Sequence, residues 1–303
     1  MNAGNEHDVL AELFEAQRGM LRAVAYRLLG SRDEAEDAVQ EAWIRLGRSD
    51  ADGVDNLPGW LRTVVTRICL DMLRSRGTRR EEPADAEEFD RVPDPGPGAR
   101  PEEQALLADS VSRALLVVLD TLAPAERVAF VLHDMFAVPF EQIAPLVGRS
   151  PSTAKKLASR ARHKVRGTPV LPAAELARHR TIVAAFLDAA RAGDLTGVLA
   201  VLAPDVVRRA DPAALPPGAP REVRGARAVA EGTLAFAHRS RAAEIALVDG
   251  AVGLLVAPHG RLVLAVAFTI EGDRITAYDV IADRARLRTL RPGVLDEPSA
   301  GAR

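Results

Sequence analysis

Phe140-Glu141-Gln142-Ile143-Ala144, then Val147-Gly148-Arg149-Ser150, then Pro151 and the run to Arg166 decide how this chain reads. A short helix opening at Phe140 meets a tight turn at Gly148. Pro151 then suits the first position of a longer helix, where its missing N–H is not needed. Short helix, glycine turn, longer helix is the helix-turn-helix pattern. Ala154, Leu157, Ala158, Ala161 and Val165 recur at helical spacing and predict the core face of the second helix. Ser152, Thr153, Lys155, Lys156, Arg160 and Lys164 are left for its outer face, with Arg149 in the turn. Arg and Lys can read guanine edges, while Ser and Thr can meet phosphates at a helix N-terminus. These seven residues are the candidate contacts to duplex DNA. Pro145 removes a backbone donor and predicts a kinked or shortened first helix.

Charge supports this reading. The formal net charge is −2, so any polyanion surface must come from segregation. From Gln142 to Ala174 there is no Asp or Glu, and all the lysines of the chain fall in that stretch. A second basic island holds Arg62, Arg67, Arg74, Arg76, Arg79 and Arg80, followed at once by Glu81, Glu82, Asp85, Glu87, Glu88 and Asp90. Two basic islands separated by an acidic spacer read as two nucleic-acid contacts on a tether.

Working outward, residues 8–76 read as a first helical block and 77–101 as an acidic linker rich in Pro and Gly. Residues 102–167 are helical again, 175–290 form a third domain, and 291–303 read as a frayed tail. In the first block Leu10, Leu13, Phe14, Leu21, Val24 and Leu28 mark one helix that stops at Gly30. Ser31 with Glu34 opens the next in a capping-box pattern. Its stripe of Ala35, Ala38, Val39, Ala42, Trp43 and Leu46 leaves Asp33, Asp37, Gln40 and Glu41 outside. Acids in the first turn complement the helix dipole, which accounts for Asp33 but less well for Gln40 and Glu41, two turns in. A third helix starts near Trp60, with Leu61, Val64, Val65, Ile68, Met72 and Leu73 inward and the arginines outward. The polar loop Ser49–Asn56 before it can offer hydrogen bonds to an extruded base.

Gln40-Glu41-Ala42-Trp43, Trp60-Leu61 with Asp71-Met72-Leu73-Arg74, and Glu141-Gln142-Ile143-Ala144 through Arg160-Ala161-Arg162 together resemble group IV, extracytoplasmic-function sigma factors of the sigma-70 family. The resemblance covers about residues 8–167. It implies binding to core RNA polymerase, through the β′ coiled coil and β flap, and recognition of double-stranded and melted promoter DNA. Asp33, Asp37, Gln40 and Glu41 would face the polymerase. Asn56, Trp60, Arg62, Arg67, Arg74 and Arg76 would melt and read the minus-ten element, with Arg67 at a position where many relatives carry Asn. The seven residues of the helix-turn-helix would read the minus-thirty-five element.

The remaining segment changes character. Ile182, Val183, Phe186 and Leu187 mark one helix and Leu195, Val198, Leu199 and Leu202 a second. Strand-like runs follow at Asp205–Arg209, Ala243–Val248, Val252–Ala257, Leu262–Ile270 and Arg274–Ile281, with a helix over Gly225–Ala237. Turn signals stand at Asp249-Gly250, His259-Gly260 and Glu271-Gly272-Asp273. Helices against a curved antiparallel sheet make an α+β layer. The order resembles a SnoaL-like, cystatin-type cone, found in a sigma-factor subgroup as a fused regulator. Asp211 and Tyr278 are candidate pocket residues, since an isomerase of that shape needs a carboxylate and a donor in an apolar pocket.

The expected fold is therefore multidomain: two all-α helical domains, sigma region 2 and a region 4 helix-turn-helix, followed by an α+β cystatin-like cone. The expected function is promoter-specific transcription initiation, modulated by the C-terminal domain, without enzymatic chemistry. Alternatives are a one-component helix-turn-helix regulator with a ligand-binding cone, or a small-molecule enzyme with a DNA-binding appendage. Cys69 is the only cysteine, so no internal disulfide or Cys-based zinc site is expected. No cofactor, metal or membrane partner is expected, a small-molecule ligand of the cone is a candidate partner, and the polar N-terminus suggests a cytoplasmic protein.

Overall fold

A computed structural model describes residues 3–48, 56–79, 113–258 and 261–295. The acidic run 81–90, most of the Ser49–Asn56 loop and the His259-Gly260 turn lie outside them. The chain divides into two compact units. One takes the described residues up to 83 together with 119–162; the other takes those of 84–118 together with 163–303.

The first unit is helical. Helices α1 (Ala3–Leu29), α2 (Arg32–Arg48) and α3 (Leu57–Arg79) pack mutually. Gly30 ends α1 with φ 76°, a left-handed conformation that glycine adopts without steric cost, and its amide returns to the Tyr26 carbonyl. Ser31 Oγ then accepts from the Glu34 amide at 3.4 Å and starts α2. Phe14 is buried, as its spacing predicts, but Leu13 is half exposed.

Helix α3 departs from a one-sided amphipathic helix. Leu61, Val65, Ile68 and Leu73 are buried as expected, but Val64 and Met72 are only partly so. Thr66, Cys69 and Leu70 are buried as well. The cause is a second neighbour: α5 (Pro124–Phe130) also packs on α3. Arg127 of α5 is buried and paired with Asp120 at 3.3 Å. After α5 the chain makes one π-helical turn, Val131–Met135, then α6 (Phe140–Val147) and α7 (Pro151–Arg166). Residues 119–162 of the second helical block expected from the sequence thus share one packed unit with the first.

The second unit contains α4 (Arg113–Asp120) in part, then α8 (Ala173–Ala192), α9 (Leu195–Val201), α10 (Ala226–Ala235), α11 (Ala237–Ser240) and α12 (Arg284–Thr289). Its strands are β1 (Leu202–Ala210), β2 (Glu222–Arg224), β3 (Ala243–Val248), β4 (Ala251–Val256), β5 (Leu264–Glu271), β6 (Arg274–Ile281) and β7 (Pro292–Gly293). They form one sheet in the order β2-β1-β6-β5-β4-β3-β7. The α+β layer is as expected, but the sheet is mixed rather than antiparallel, because β1 runs parallel to β6. The helices and strands between β1 and β6 make that long return possible.

The β3–β4 hairpin has the turn its sequence predicts. Asp249 and Gly250 both take positive φ, the primed-turn geometry that matches strand twist. Gly250 is also required by space, since a Cβ there would meet the Thr168 carbonyl oxygen at 2.6 Å.

One face of the sheet packs on α8 through Phe186, Leu254, Val266 and Tyr278. The other face is covered by Ala114 and Val117 of α4, which meet Ala246, Leu255, Ala265 and Ile281. That helix was expected to open the second helical block, but its apolar side belongs to the C-terminal core. The expected tail also differs: Val248 pairs with Pro292 and Leu247 with Gly293.

Candidate nucleic-acid and polymerase interface

The helix-turn-helix takes the form its residues dictate. Gly148 caps α6 at φ 65° and its amide donates to the Ala144 carbonyl. Pro145 is accommodated within α6 on its exposed side. Ser150 Oγ accepts from the Thr153 amide at 3.3 Å, which caps α7. Ala154, Ala158, Ala161 and Val165 are buried, and Leu157 is half-buried.

The opposite side of α7 carries Ser152, Lys155, Lys156, Arg160 and Lys164, all exposed, and Arg149 stands exposed in the turn. Thr153 is half-buried, and its hydroxyl lies 2.9 Å from Ser150 Oγ. The seven candidate residues therefore do come together around one helix N-terminus and the face behind it. Arg162 turns the other way and pairs with Asp134, bracing α7 against the π-helical turn.

On α3 the arginines separate into two groups. Arg67 and Arg74 are exposed, the latter in a 3.5 Å pair with Asp71. Arg76 is engaged inside the fold, where it pairs with Glu34 and donates to the Leu29 carbonyl at 2.8 Å. It clamps α3 to the α1–α2 corner, and its guanidinium has little left for DNA. Arg62 is half-buried and donates to Gln142 Oε1 at 3.0 Å. Asn56 caps α3, with Oδ1 accepting from the Gly59 amide at 3.0 Å, and Trp60 is half-buried one turn in.

The acids of α2 divide in the same way. Glu36 pairs with Arg18 and, at 2.9 Å, with Arg22, so it fastens α2 to α1. Glu41 is half-buried and pairs with Arg45 at 2.9 Å. Asp33, Asp37 and Gln40 are exposed and lie on one stripe at helical spacing. Ile44 continues the stripe at 39% exposure. Sequence reading missed it, although an apolar residue in line with 33, 37 and 40 was the available signal.

Asp211 and Tyr278 do not share a hollow. Tyr278 is buried on β6 and lines an apolar cavity of about 110 Å³ with Phe186, Leu254 and Val266. Asp211 lines a separate polar cleft with Arg209, Arg221 and Arg286. Its carboxylate accepts from the Ala282 and Asp283 amides, both at 3.1 Å, and pairs with Arg286. Burial works against its charge, but those amides and the guanidinium outweigh it and hold the carboxyl below its usual pKa. A base so acidic is a poor proton acceptor near neutrality. Asp211 is a fastener between the end of β1 and the β6–α12 junction.

Among the described residues no group of three or more His, Cys, Asp or Glu is placed to hold a metal. No described helix is long and apolar enough to cross a membrane.

Comparison with known proteins identifies two regions of the chain. A model of sigma-70 region 2 matches residues 13–79, and one of sigma-70, region 4 matches residues 112–165. The chain is 35% identical over 290 residues to the probable ECF RNA polymerase sigma factor SigI of Mycobacterium tuberculosis (strain CDC 1551 / Oshkosh), covering 95% of this chain and 98% of that one. It is 37% identical over 286 residues to the ECF RNA polymerase sigma factor SigJ of Mycobacterium tuberculosis (strain ATCC 25618 / H37Rv), covering 92% and 87%. The crystal structure of Mycobacterium tuberculosis extracytoplasmic function sigma factor SigJ, 35% identical, matches 90% of this chain and 96% of that one with a TM-score of 0.48.

Proposed function

The chain belongs to the extracytoplasmic-function RNA polymerase sigma factors of the sigma-70 family, and from that premise we propose how its surfaces divide the work. As a sigma factor it binds core polymerase and promoter DNA and directs transcription initiation. The Asp33, Asp37 and Gln40 stripe, extended by Ile44, meets the basic β′ coiled coil, and region 4 also meets the β flap. Lys155, Lys156 and Arg160, with Arg149 and Lys164, enter the major groove at the minus-thirty-five element. Ser152 and Thr153 sit at the α7 N-terminus, where phosphate is favoured. Arg67 and Arg74 track the backbone at the minus-ten element, and Trp60 offers an aromatic face to unstacked bases. Capture of those bases offsets an unpairing cost of a few kcal/mol.

The observation that carries this reading is the α7 outer face: exposed cations beyond a glycine turn, with no acid between Gln142 and Ala174. A regulator that binds DNA alone would leave residues 13–79, matched by the region 2 model, without a task. The C-terminal domain modulates initiation. Run-off transcription with purified core polymerase tests the assignment. The wild-type chain should initiate at its promoter, and Lys155→Ala with Arg160→Ala should lose at least tenfold in output. Full output from that double variant would remove α7 as the reader.

A further inference from the structure

The apolar cavity of the C-terminal domain contains a charge that its walls do not explain. Arg208 stands on β1 directly beside Tyr278 on β6, in register across the parallel pair, so both side chains reach the same face of the sheet. Its residue exposure is 8%, and it lines the cavity. One guanidinium nitrogen donates to the Pro220 carbonyl at 3.2 Å. Its Nε is buried with no hydrogen-bond partner among the described residues. A second guanidinium, Arg239, lines the same cavity, held by the Ala214 carbonyl at 2.7 Å and laid over the Phe236 ring. Among the described residues no Asp or Glu lines this space.

A buried cation with no carboxylate lining its cavity is costly, and an anionic ligand would offset that cost. The remaining walls say what that anion carries. Phe186, Leu254 and Val266 are apolar, and such a lining favours a hydrocarbon body. The volume, about 110 Å³, is below the roughly 150 Å³ of an engineered cavity that admits benzene. A phosphate ester or a nucleotide is too polar for these walls. A planar carboxylate suits the fork of an arginine and forms charge-assisted hydrogen bonds with it. The Tyr278 hydroxyl, 2.8 Å from Thr233 Oγ1, adds a further polar group at the edge of the aromatic trio Phe186, Phe268 and Tyr278.

We propose that this cavity is a binding site for a small apolar carboxylate, a short-chain monoacid, whose carboxylate meets Arg208 while its hydrocarbon part lies among Phe186, Leu254 and Val266. The site itself stands on this geometry alone. Its regulatory consequence, a signal carried to initiation, rests on the modulating role given above to the C-terminal domain.

Binding is measured on the full-length chain by calorimetry and thermal melts, with propionate and butyrate as probes and butyramide as the neutral isostere, at matched sodium concentration. Propionate or butyrate should bind and raise the melting temperature, and butyramide should bind at least tenfold more weakly. Arg208→Met should abolish that preference, and Arg208→Lys should retain part of it. Equal binding of acid and amide, binding of neither acid, or an Arg208→Met protein that keeps its acid affinity would overturn the site. If Arg208→Met does not fold, the wild-type ranking of acid over amide decides alone. Run-off transcription with and without the bound acid separates the two claims. Binding without a change in output retains the site and removes the regulatory role.

Discussion

Arg62 on α3 donates to the side-chain oxygen of Gln142 on α6 at 3.0 Å, tying α3 to the helix-turn-helix. The contact is one of several between regions 2 and 4. Arg27 of α1 lies over the Phe136 ring at 5.2 Å, and Arg127 of α5 acts electrostatically on Cys69 of α3. Two promoter elements centred some 25 base pairs apart are separated by about 85 Å at 3.4 Å per base pair. A packed unit of this length has a radius of gyration of only about 14 Å. If α3 and α7 contact the two elements as proposed, promoter engagement should require α3 and α6 to part.

Parting should be measurable. An exposed hydrogen bond contributes about 1 kcal/mol, so Gln142→Ala should shift the closed-to-open balance roughly fivefold. Cys69 supplies a readout. Burial pushes its thiol up to about 12, with Arg127 only partly opposing, so it should label far more slowly than a free cysteine at pH 8. Gln142→Ala, or addition of core polymerase, should speed labelling. Labelling as fast as in the unfolded chain for the untreated wild type would mean that the blocks are already apart.

If the exposed cations of α7 act through phosphates and base edges as proposed, salt distinguishes the two roles. A phosphate contact adds about one unit to the slope of log affinity against log salt. Lys156→Ala should weaken binding evenly across promoter sequences and reduce that slope by about one. Arg160→Ala should cost roughly 1–3 kcal/mol and relax preference at one base pair. Holoenzyme binding to a panel of single-base promoter variants at several salt concentrations checks both.

On α2, neighbouring acids should give opposite results. Asp37→Arg with Gln40→Ala changes exposed side chains, so the melting temperature should stay within about 2 °C while affinity for core polymerase falls at least tenfold. Glu36→Ala removes the partner of Arg18 and Arg22 and should mainly lower the melting temperature. A pull-down and a melt on the same preparations separate the two effects. Loss of polymerase binding only in Glu36→Ala would move the contact off the proposed stripe.

Sequence alone made the helix-turn-helix legible because every level agreed there: Gly148 at a left-handed cap, Ser150 and Pro151 at a helix start, alanines inward and lysines outward. It also located the β3–β4 hairpin from Asp249-Gly250. The long-range partners were not legible. Arg76 looked like its exposed neighbour Arg74, because nothing local reveals that Glu34, forty-two positions earlier, waits beside it. The parallel pairing of β1 with β6 depends on a return through the whole intervening segment. Arg208 did carry a signal that went unused: a charge at an inward position between Val206 and Ala210 on a strand.

Asp211 provides a pH test that also separates a fastener from a catalytic base. Its carboxyl pKa is lowered on folding, because the Asp283 and Ala282 amides and Arg286 outweigh the opposing effect of burial. A group lowered in this way stabilises the fold above its unfolded value, near 4, and loses that contribution as pH falls through the folded value. Asp211→Asn removes the charge but keeps the shape. At pH 7 it should lower the melting temperature by roughly 5 °C, from about 2 kcal/mol of charge-assisted hydrogen bonding. The gap between wild type and variant should narrow as pH drops below about 4, because the wild-type carboxyl is then protonated too. Melting curves from pH 7 to pH 3 read this directly. A constant gap across that range would mean that the charge of Asp211 contributes nothing, and that the β1 end is held by shape alone.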